Sequence, residues 1–205
     1  PHGLRIYGND GGFGAIGHVS SGSYDLAIDS SGNVLAGCTS LPSASVKGNA
    51  FLANANQGRL YVACNNTGER DLAYWTNPNG VVGTITTNGS NTAYNTSSDY
   101  RLKENVVTDW DGTSLLKQLK PSKFNFIADA DKTVQGFLAH EVSSIVPEAV
   151  TGEKDAIYTA QDEADGKGIE GEPNYQGIDH SKLVPLLVKT IQELEARITT
   201  LEGGE

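Results

Sequence analysis

Val184, Leu187, Ile191, Leu194, Ile198 and Leu201 recur at alternating three- and four-residue steps through the last segment of the chain. This spacing lines branched apolar side chains along one seam of an α-helix, the a/d stripe of a coiled coil, which must be buried against other helices. Lys189, Glu193, Glu195 and Arg197 fall outside the seam. Three heptads make a multimer handle rather than a rod. Branched residues at a with Leu at d favour two strands by rule, but a helix this short takes its oligomeric state from the domain attached to it.

The rest of the sequence divides near residue 98. Residues 1–98 are rich in Gly, Asn, Ser and Thr and carry a net charge of -1, whereas residues 99–205 carry -9 of the chain's -10. So acidic a second half, with no cluster of Lys and Arg, excludes a nucleic-acid surface or an anionic-membrane surface. No apolar run approaches the roughly 18 residues of a membrane span, and no signal peptide opens the chain; a soluble protein is expected. The sequence lacks Met even at position 1, so a piece of something longer, missing an N-terminal body, is expected. Cys38 and Cys64 do not by themselves fix a disulfide, and buried free thiols are the expectation.

The first half reads as short strands between tight turns. Leu4–Tyr7, Tyr24–Ile28, Val34–Gly37, Arg59–Ala63 and Val81–Thr87 are bounded by runs such as Gly8-Asn9-Asp10-Gly11 and Asp29-Ser30-Ser31-Gly32-Asn33. Strands this short bury little within one chain, and small thin cores need help from oligomerisation. Gly12-Phe13-Gly14-Ala15-Ile16-Gly17 matches a dinucleotide-binding pattern by letter. No helical period follows it, and the fingerprint works only at a strand-to-helix turn. The glycosylation-type triplets at Asn65, Asn88 and Asn95 are read as turns. Tyr7, Phe13, Tyr24, Tyr61, Tyr74 and Trp75 serve either as packing for a shared core or as stacking platforms for sugars. Trp75, with Tyr74 beside it, is the candidate receptor contact. A depolymerase reading would need paired carboxylates among Asp25, Asp29, Glu69 and Asp71.

After residue 98 the pattern turns mixed. Thr108 or Asp111 caps a helix through Thr113–Leu119 that Pro121 stops, Lys123–Ile127 alternates as a strand, and Asp129–Lys132 is expected to turn the chain. Ala139–Ile145 is a short helix ended by Pro147. Ala156–Thr159 and Tyr175–Ile178 are expected to pair as a long hairpin closing an acidic excursion. Asp162, Asp165 and Glu170 do not have EF-hand spacing, so a solvated tip is expected, with no metal and no cofactor.

Three blocks occur in order: Ser98-Asp99-x-Arg101-x-Lys103-Glu104-Asn105, Gly136-Phe137-Leu138-Ala139-His140-Glu141-Val142, and Asp179-x-x-Lys182-Leu183-Val184-Pro185-Leu186-Leu187. Together they resemble the endosialidase-type intramolecular chaperone over roughly Ser97 to Leu201. Such domains close many phage tail spikes and fibres, and a relative sits inside the myelin regulatory transcription factor. His140 departs from the family's usual Gln. The resemblance implies that the domain drives assembly of three chains, that a Ser-Lys pair then cuts the backbone once, and that the chaperone leaves. Mapped onto this chain, Ser98 is the nucleophile, Lys103 its base and Ser98–Asp99 the bond cut. Arg101, His140 and Glu141 are read from the residues as candidates for assembly or dyad support, with packing on a helix face an equal reading of His140 and Glu141. The hairpin would be an arm gripping the fibre shaft.

The chemistry sets its own conditions. A serine hydroxyl needs a base, and an ordinary lysine amine is protonated near neutrality unless burial or a neighbouring cation disfavours its charge. Arg101 is the candidate cation. In an extended strand Ser98 and Lys103 face opposite sides, so either the backbone turns between them or the lysine comes from a neighbouring chain. A serine reaches the carbonyl before it through a five-membered ring and its own through a strained four-membered one, which leaves the bond open on chemistry alone.

The expected fold class is therefore mixed. Residues 1–98 form a β-rich trimeric distal fibre segment, and residues 99–205 an α+β chaperone ending in a long helix and short coiled coil. The expected protein is the C-terminal part of a phage tail fibre or spike, a homotrimer in the virion tail. It assembles in the host cytoplasm, loses its chaperone from the mature particle, and contacts a host surface polysaccharide through its first half. The alternatives are a receptor-binding tip on a permanent trimerisation foot and a fragment of a polysaccharide depolymerase.

Overall fold

The computed structural model describes residues 6–8, 14–16, 26–38, 40–54 and 57–203. Gly12, Phe13 and Gly17 of the dinucleotide-like run, Tyr24 and Asp25 lie outside them, as does the side chain of Tyr7. The chain forms two compact units, Pro1–Glu104 and Asn105–Glu205.

Antiparallel meanders build the first unit. Strands β1 (Ile6–Gly8), β2 (Gly14–Ile16), β3 (Leu26–Ile28), β4 (Val34–Ala36), β5 (Gly48–Asn54) and β6 (Gln57–Ala63) pair in sequence order as one six-stranded sheet. Register places Ala27, Leu35 and Ala50 in one row across the sheet. All three are buried, and with Cys38 they form a core cluster flanked by Val46 and Leu52. Because successive side chains alternate between faces, the neighbouring row lies on the other side. Ile28, Val34, Phe51 and Leu60 are cross-strand partners there; Ile28, Phe51 and Leu60 remain 47%, 60% and 63% exposed. The buried row is thus two alanines around Leu35, while the bulky Ile28, Phe51 and Leu60 lie outside. Asp29 closes the β3–β4 turn, its Oδ1 accepting the amides of Ser31 and Asn33 at 2.9 Å.

Strands β7 (Arg70–Asn77), β8 (Gly80–Asn88) and β9 (Asn91–Thr96) form a separate three-stranded meander. Gly80 (φ +98°) and Gly89 (φ +58°) supply the left-handed backbone at its two turns. Cys38 is buried, Cys64 partly so, and both are free thiols.

The second unit packs short helices and hairpins against a long terminal helix. Helix α1 (Gly112–Leu116) is capped by Asp111, whose side chain accepts the Ser114 amide. Strands β10 (Ser122–Phe126) and β11 (Asp129–Gly136) form a hairpin with a register shift at Asn125/Phe126. Its turn is at Ile127–Ala128, two residues ahead of the expected one. Asp129–Lys132 instead opens β11, where exposed backbone pairing tolerates charged side chains on both faces.

Helix α2 (Ala139–Val142) follows, then β12 (Val150–Thr151). The excursion beyond it differs from a simple long hairpin. Ile157 bridges Pro173, and the tip is helix α3 (Ala160–Ala164), nucleated by a capping box between Thr159 and Asp162. Strand β13 (Gly177–Ile178) pairs with β12, not with Ala156–Thr159. A 3-10 turn, His180–Leu183, then runs into α4 (Val184–Glu202), with Pro185 in the first turn, where a missing N–H costs nothing.

Val142, Val146, Ala149, Leu183 and Leu186 form the buried core of this unit. Helix α4 turns Leu186 and Thr190 inward. Its heptad residues Val184, Leu187, Ile191, Leu194, Ile198 and Leu201 lie on other faces and are 42–77% exposed. No helix among the described residues is long and apolar enough to cross a membrane.

Candidate functional site

Strand β9 delivers the chain to the junction and anchors it there. The Ser97 amide donates to the Val82 carbonyl at 3.1 Å and the Ser97 hydroxyl to the Val81 carbonyl at 2.9 Å. Just beyond that anchor the backbone leaves the extended state. Asp99 (φ -63°, ψ 138°) is the N-cap of a 3-10 turn over Tyr100–Leu102, and Lys103 (φ -126°, ψ 141°) returns to extended geometry.

This turn removes the obstacle posed by strand alternation. It brings the Lys103 Nζ to 2.7 Å from the Ser98 Oγ, to which it donates, within one chain. Of the two routes the sequence allowed, a backbone turn and a lysine from a neighbour, the chain adopts the turn. Both residues are exposed.

Arg101 and Asp99 are engaged with each other. The Arg101 Nε donates to Asp99 Oδ1 at 2.9 Å and Nη2 to Oδ2 at 2.8 Å, and the Arg101 amide donates to Oδ1 at 2.8 Å. These bonds hold the Asp99 carboxyl below its ordinary range and push the guanidinium up. The positive charge of Arg101 is therefore matched by its own clamp, and it does not stand as a free cation beside Lys103.

His140 and Glu141 belong to the second unit. Glu141 pairs with Lys120 at 3.0 Å. His140 is exposed and lines a cleft with Ala156, Ile157, Pro173 and Tyr175 at the base of the excursion.

In the first unit Tyr74 and Trp75 are adjacent on β7 and so point to opposite faces. The Tyr74 hydroxyl donates to Asp71 at 2.7 Å. Trp75, 51% exposed, shares its face with Tyr94, which is 80% exposed: Trp75 pairs with Gly83, and Ala73, Ile85 and Tyr94 form the next row. Tyr94 was not singled out by sequence, because it sits in the polar run Asn91–Thr96. Asp29 and Asp71, considered as paired acids, each accept bonds from near neighbours.

Glu193 reads from the sequence as one of the charges outside the heptad seam. Its carboxylate accepts the Gly112 amide at 3.0 Å, the Thr113 amide at 2.7 Å and the Thr113 hydroxyl at 2.6 Å. It therefore caps α1 from 80 residues away. Those three donors lower its carboxyl from 4.5 to about 2. No sequence signal marks so distant a cap. Among the described residues no group of three or more His, Cys, Asp or Glu is arranged to hold a metal ion.

Residues 98–151 match the family described as chaperone of endosialidase. No match was found among curated proteins. The matched segment begins at Ser98 itself and supports an endosialidase-type intramolecular chaperone domain. The family points to a phage tail protein that assembles as a trimer with a chaperone removed after folding.

Proposed function

We propose that the endosialidase-type chaperone domain opening at Ser98 drives trimer assembly of a phage tail fibre and is then released by self-cleavage, with Ser98 as nucleophile and Lys103 as base. The observation that carries this reading is the 2.7 Å contact between the Lys103 Nζ and the Ser98 Oγ at the start of the matched segment. Residues 1–98 are the retained fibre segment and residues 99–205 the released chaperone. Assembly takes place in the host cytoplasm, before the particle is complete.

The neutral lysine amine takes the Ser98 hydroxyl proton as the oxygen attacks a backbone carbonyl carbon. That proton then passes to the departing amine, leaving an ester, and water hydrolyses the ester to restore the serine. Lys103 must first lose its own proton, which burial favours. In a single chain the pair is exposed, so the missing desolvation is assigned to neighbouring copies. Cutting then waits for assembly. Two uncovered apolar surfaces support a shared trimer: the Ile28–Val34–Phe51–Leu60 row of the sheet and the heptad seam of α4. Trp75 and Tyr94 are exposed on one face of the β7–β9 meander, and host polysaccharide contact is assigned to that face.

The exposure of the pair favours a second reading, in which the chaperone half is a permanent foot. Intact mass under denaturing conditions separates the two, with wild type measured beside Ser98→Ala and Lys103→Ala. Self-cleavage predicts two fragments from wild type and one whole chain from each variant. Ends at residues 98 and 99 place the cut at Ser98–Asp99, and ends at 97 and 98 place it one bond earlier. An uncut wild-type trimer would overturn the self-cleavage reading.

A further inference from the structure

The turn that brings Lys103 to Ser98 has little to hold it. It spans three residues and buries none of them. Its backbone contributes the Leu102 amide to the Asp99 carbonyl and the Lys103 amide to the Tyr100 carbonyl, both at 3.1 Å. A 3-10 segment of this length is marginal alone, because its hydrogen bonds are poorly aligned and its nucleation is unfavourable. What remains is the Asp99 carboxylate, which takes three bonds from Arg101, two of them from the guanidinium fork.

We propose that Asp99 and Arg101 are a positioning pair for the Ser98–Lys103 cut: the carboxylate clamps the guanidinium and the following amide, and the clamped turn presents the Lys103 amine to the Ser98 hydroxyl. This rests on the self-cleavage reading above. The two side chains bond each other and act through Lys103, apart from the Asp99 backbone nitrogen at the bond to be cut. Its geometry is specific to arginine, since a planar fork meets both carboxylate oxygens and an ammonium does not. A role for Arg101 as a bare cation, favouring the neutral lysine, makes opposite predictions. Removing the Asp99 charge would then free that cation and speed the cut, and lysine would substitute for arginine.

The test follows self-cleavage of the full chain over time by denaturing mass, across a range of pH. Asp99→Asn, Arg101→Ala, Arg101→Lys and the double variant Asp99→Asn/Arg101→Ala are compared with wild type, with native mass and melting temperature recorded for each. Positioning predicts that Asp99→Asn and Arg101→Ala each slow the cut about threefold to fivefold, the range of a well-formed exposed pair. The double variant is no slower than either single one, and Arg101→Lys is as slow as Arg101→Ala. The cut slows at every pH, while trimer and melting temperature stay at wild-type values.

A faster Asp99→Asn or a fully active Arg101→Lys overturns the proposal in favour of the bare cation. A double variant slower than both singles overturns it in favour of a direct effect of Asp99 at the bond. A wild type that does not cut, or a Ser98→Ala chain that does, defeats the self-cleavage reading and the positioning role with it. In uncut Ser98→Ala chains, amide exchange at Leu102 and Lys103 still reads the clamp. It must quicken on Asp99→Asn, and unchanged exchange refutes the clamp independently of cleavage.

Discussion

Gly112→Ala tests the contact that fixes which side of α4 faces inward. Gly112 is buried at the first position of α1. A Cβ there would meet the Lys189 Cγ at 2.7 Å, the Lys189 Cβ at 3.1 Å and the Thr190 backbone nitrogen at 3.2 Å. Ordinary carbon contacts lie at about 3.5–4.0 Å, so the shortest is roughly 1 Å too close. Lys189 can swing its Cγ away, but its Cβ and the backbone cannot follow, and α1 must draw back from α4. Overpacking of this kind costs about 1–3 kcal/mol. Against it stands a gain of about 0.4–1 kcal/mol from restricting the unfolded chain. The clash wins, and a net loss of about 1–2 kcal/mol corresponds to a fall in melting temperature of roughly 4–16 °C for a unit of this size. The helical signal in circular dichroism reads this unit, because all four described α-helices lie in it. Wild type and variant are compared at equal protomer concentration, since assembly makes melting concentration-dependent. Adding Lys189→Ala removes the Cγ and everything beyond it, including the 3.5 Å ion pair to Glu193, and keeps the Cβ, so it should recover only part of the loss. A Gly112→Ala protein that melts at or above wild type would refute the close approach of α1 to α4.

The Glu193 cap predicts a pH dependence of stability with a defined sign. Its folded carboxyl titrates at about 2 against an ordinary 4.5, so its contribution is complete above 4.5 and is lost as pH falls from 4.5 to about 2. Glu193→Gln should be less stable than wild type near neutrality, and the gap should close across that window; a gap constant with pH would sink the assignment. Ile191→Ser with Leu194→Ser, both on the exposed seam, should lower the trimer fraction in native mass without loosening the Leu183–Leu186 core, read as an unchanged helical signal at high concentration. A trimer as stable as wild type would place the subunit contacts elsewhere.

What was legible in the sequence depended on whether chemistry was local. The Asp111 cap and the heptad helix follow from neighbours a few residues apart, and Ser98 with Lys103 stands out as a motif; α1 ends at Leu116, short of the expected stop at Pro121. Strands β5, β7 and β9 were not singled out. β9 reads Asn-Thr-Ala-Tyr-Asn-Thr and is exposed along its whole length, so no two-residue hydrophobic period exists for a reader to find. The β10–β11 turn was misplaced because Asp129 through Lys132 have the composition of a turn, while Ile127 and Ala128, which make it, do not. The excursion was read as a hairpin without its tip helix, although the Thr159–Asp162 capping box was present in sequence. Glu193 was beyond reach: its partners are 80 and 81 residues distant, and its position beside the seam matched an ordinary solvent charge.

The geometry of the junction separates two requirements that a self-cutting serine must meet. Alignment is supplied within the chain, since the turn leaves the Lys103 Nζ 2.7 Å from the Ser98 Oγ. Desolvation is not, because both side chains remain in water, where a serine hydroxyl is a weak nucleophile. Under the proposed function this division makes assembly the trigger: a misassembled chain carries an aligned pair that stays inert, and only copies packed over the junction convert it into a nucleophile and base. Once the backbone is cut, the fibre segment no longer carries the chaperone that folded it, so the step runs one way. The timing follows directly. Cleavage of refolding chains should lag trimer formation at every protein concentration, and cleavage of monomers ahead of trimers would show that one chain supplies both requirements alone.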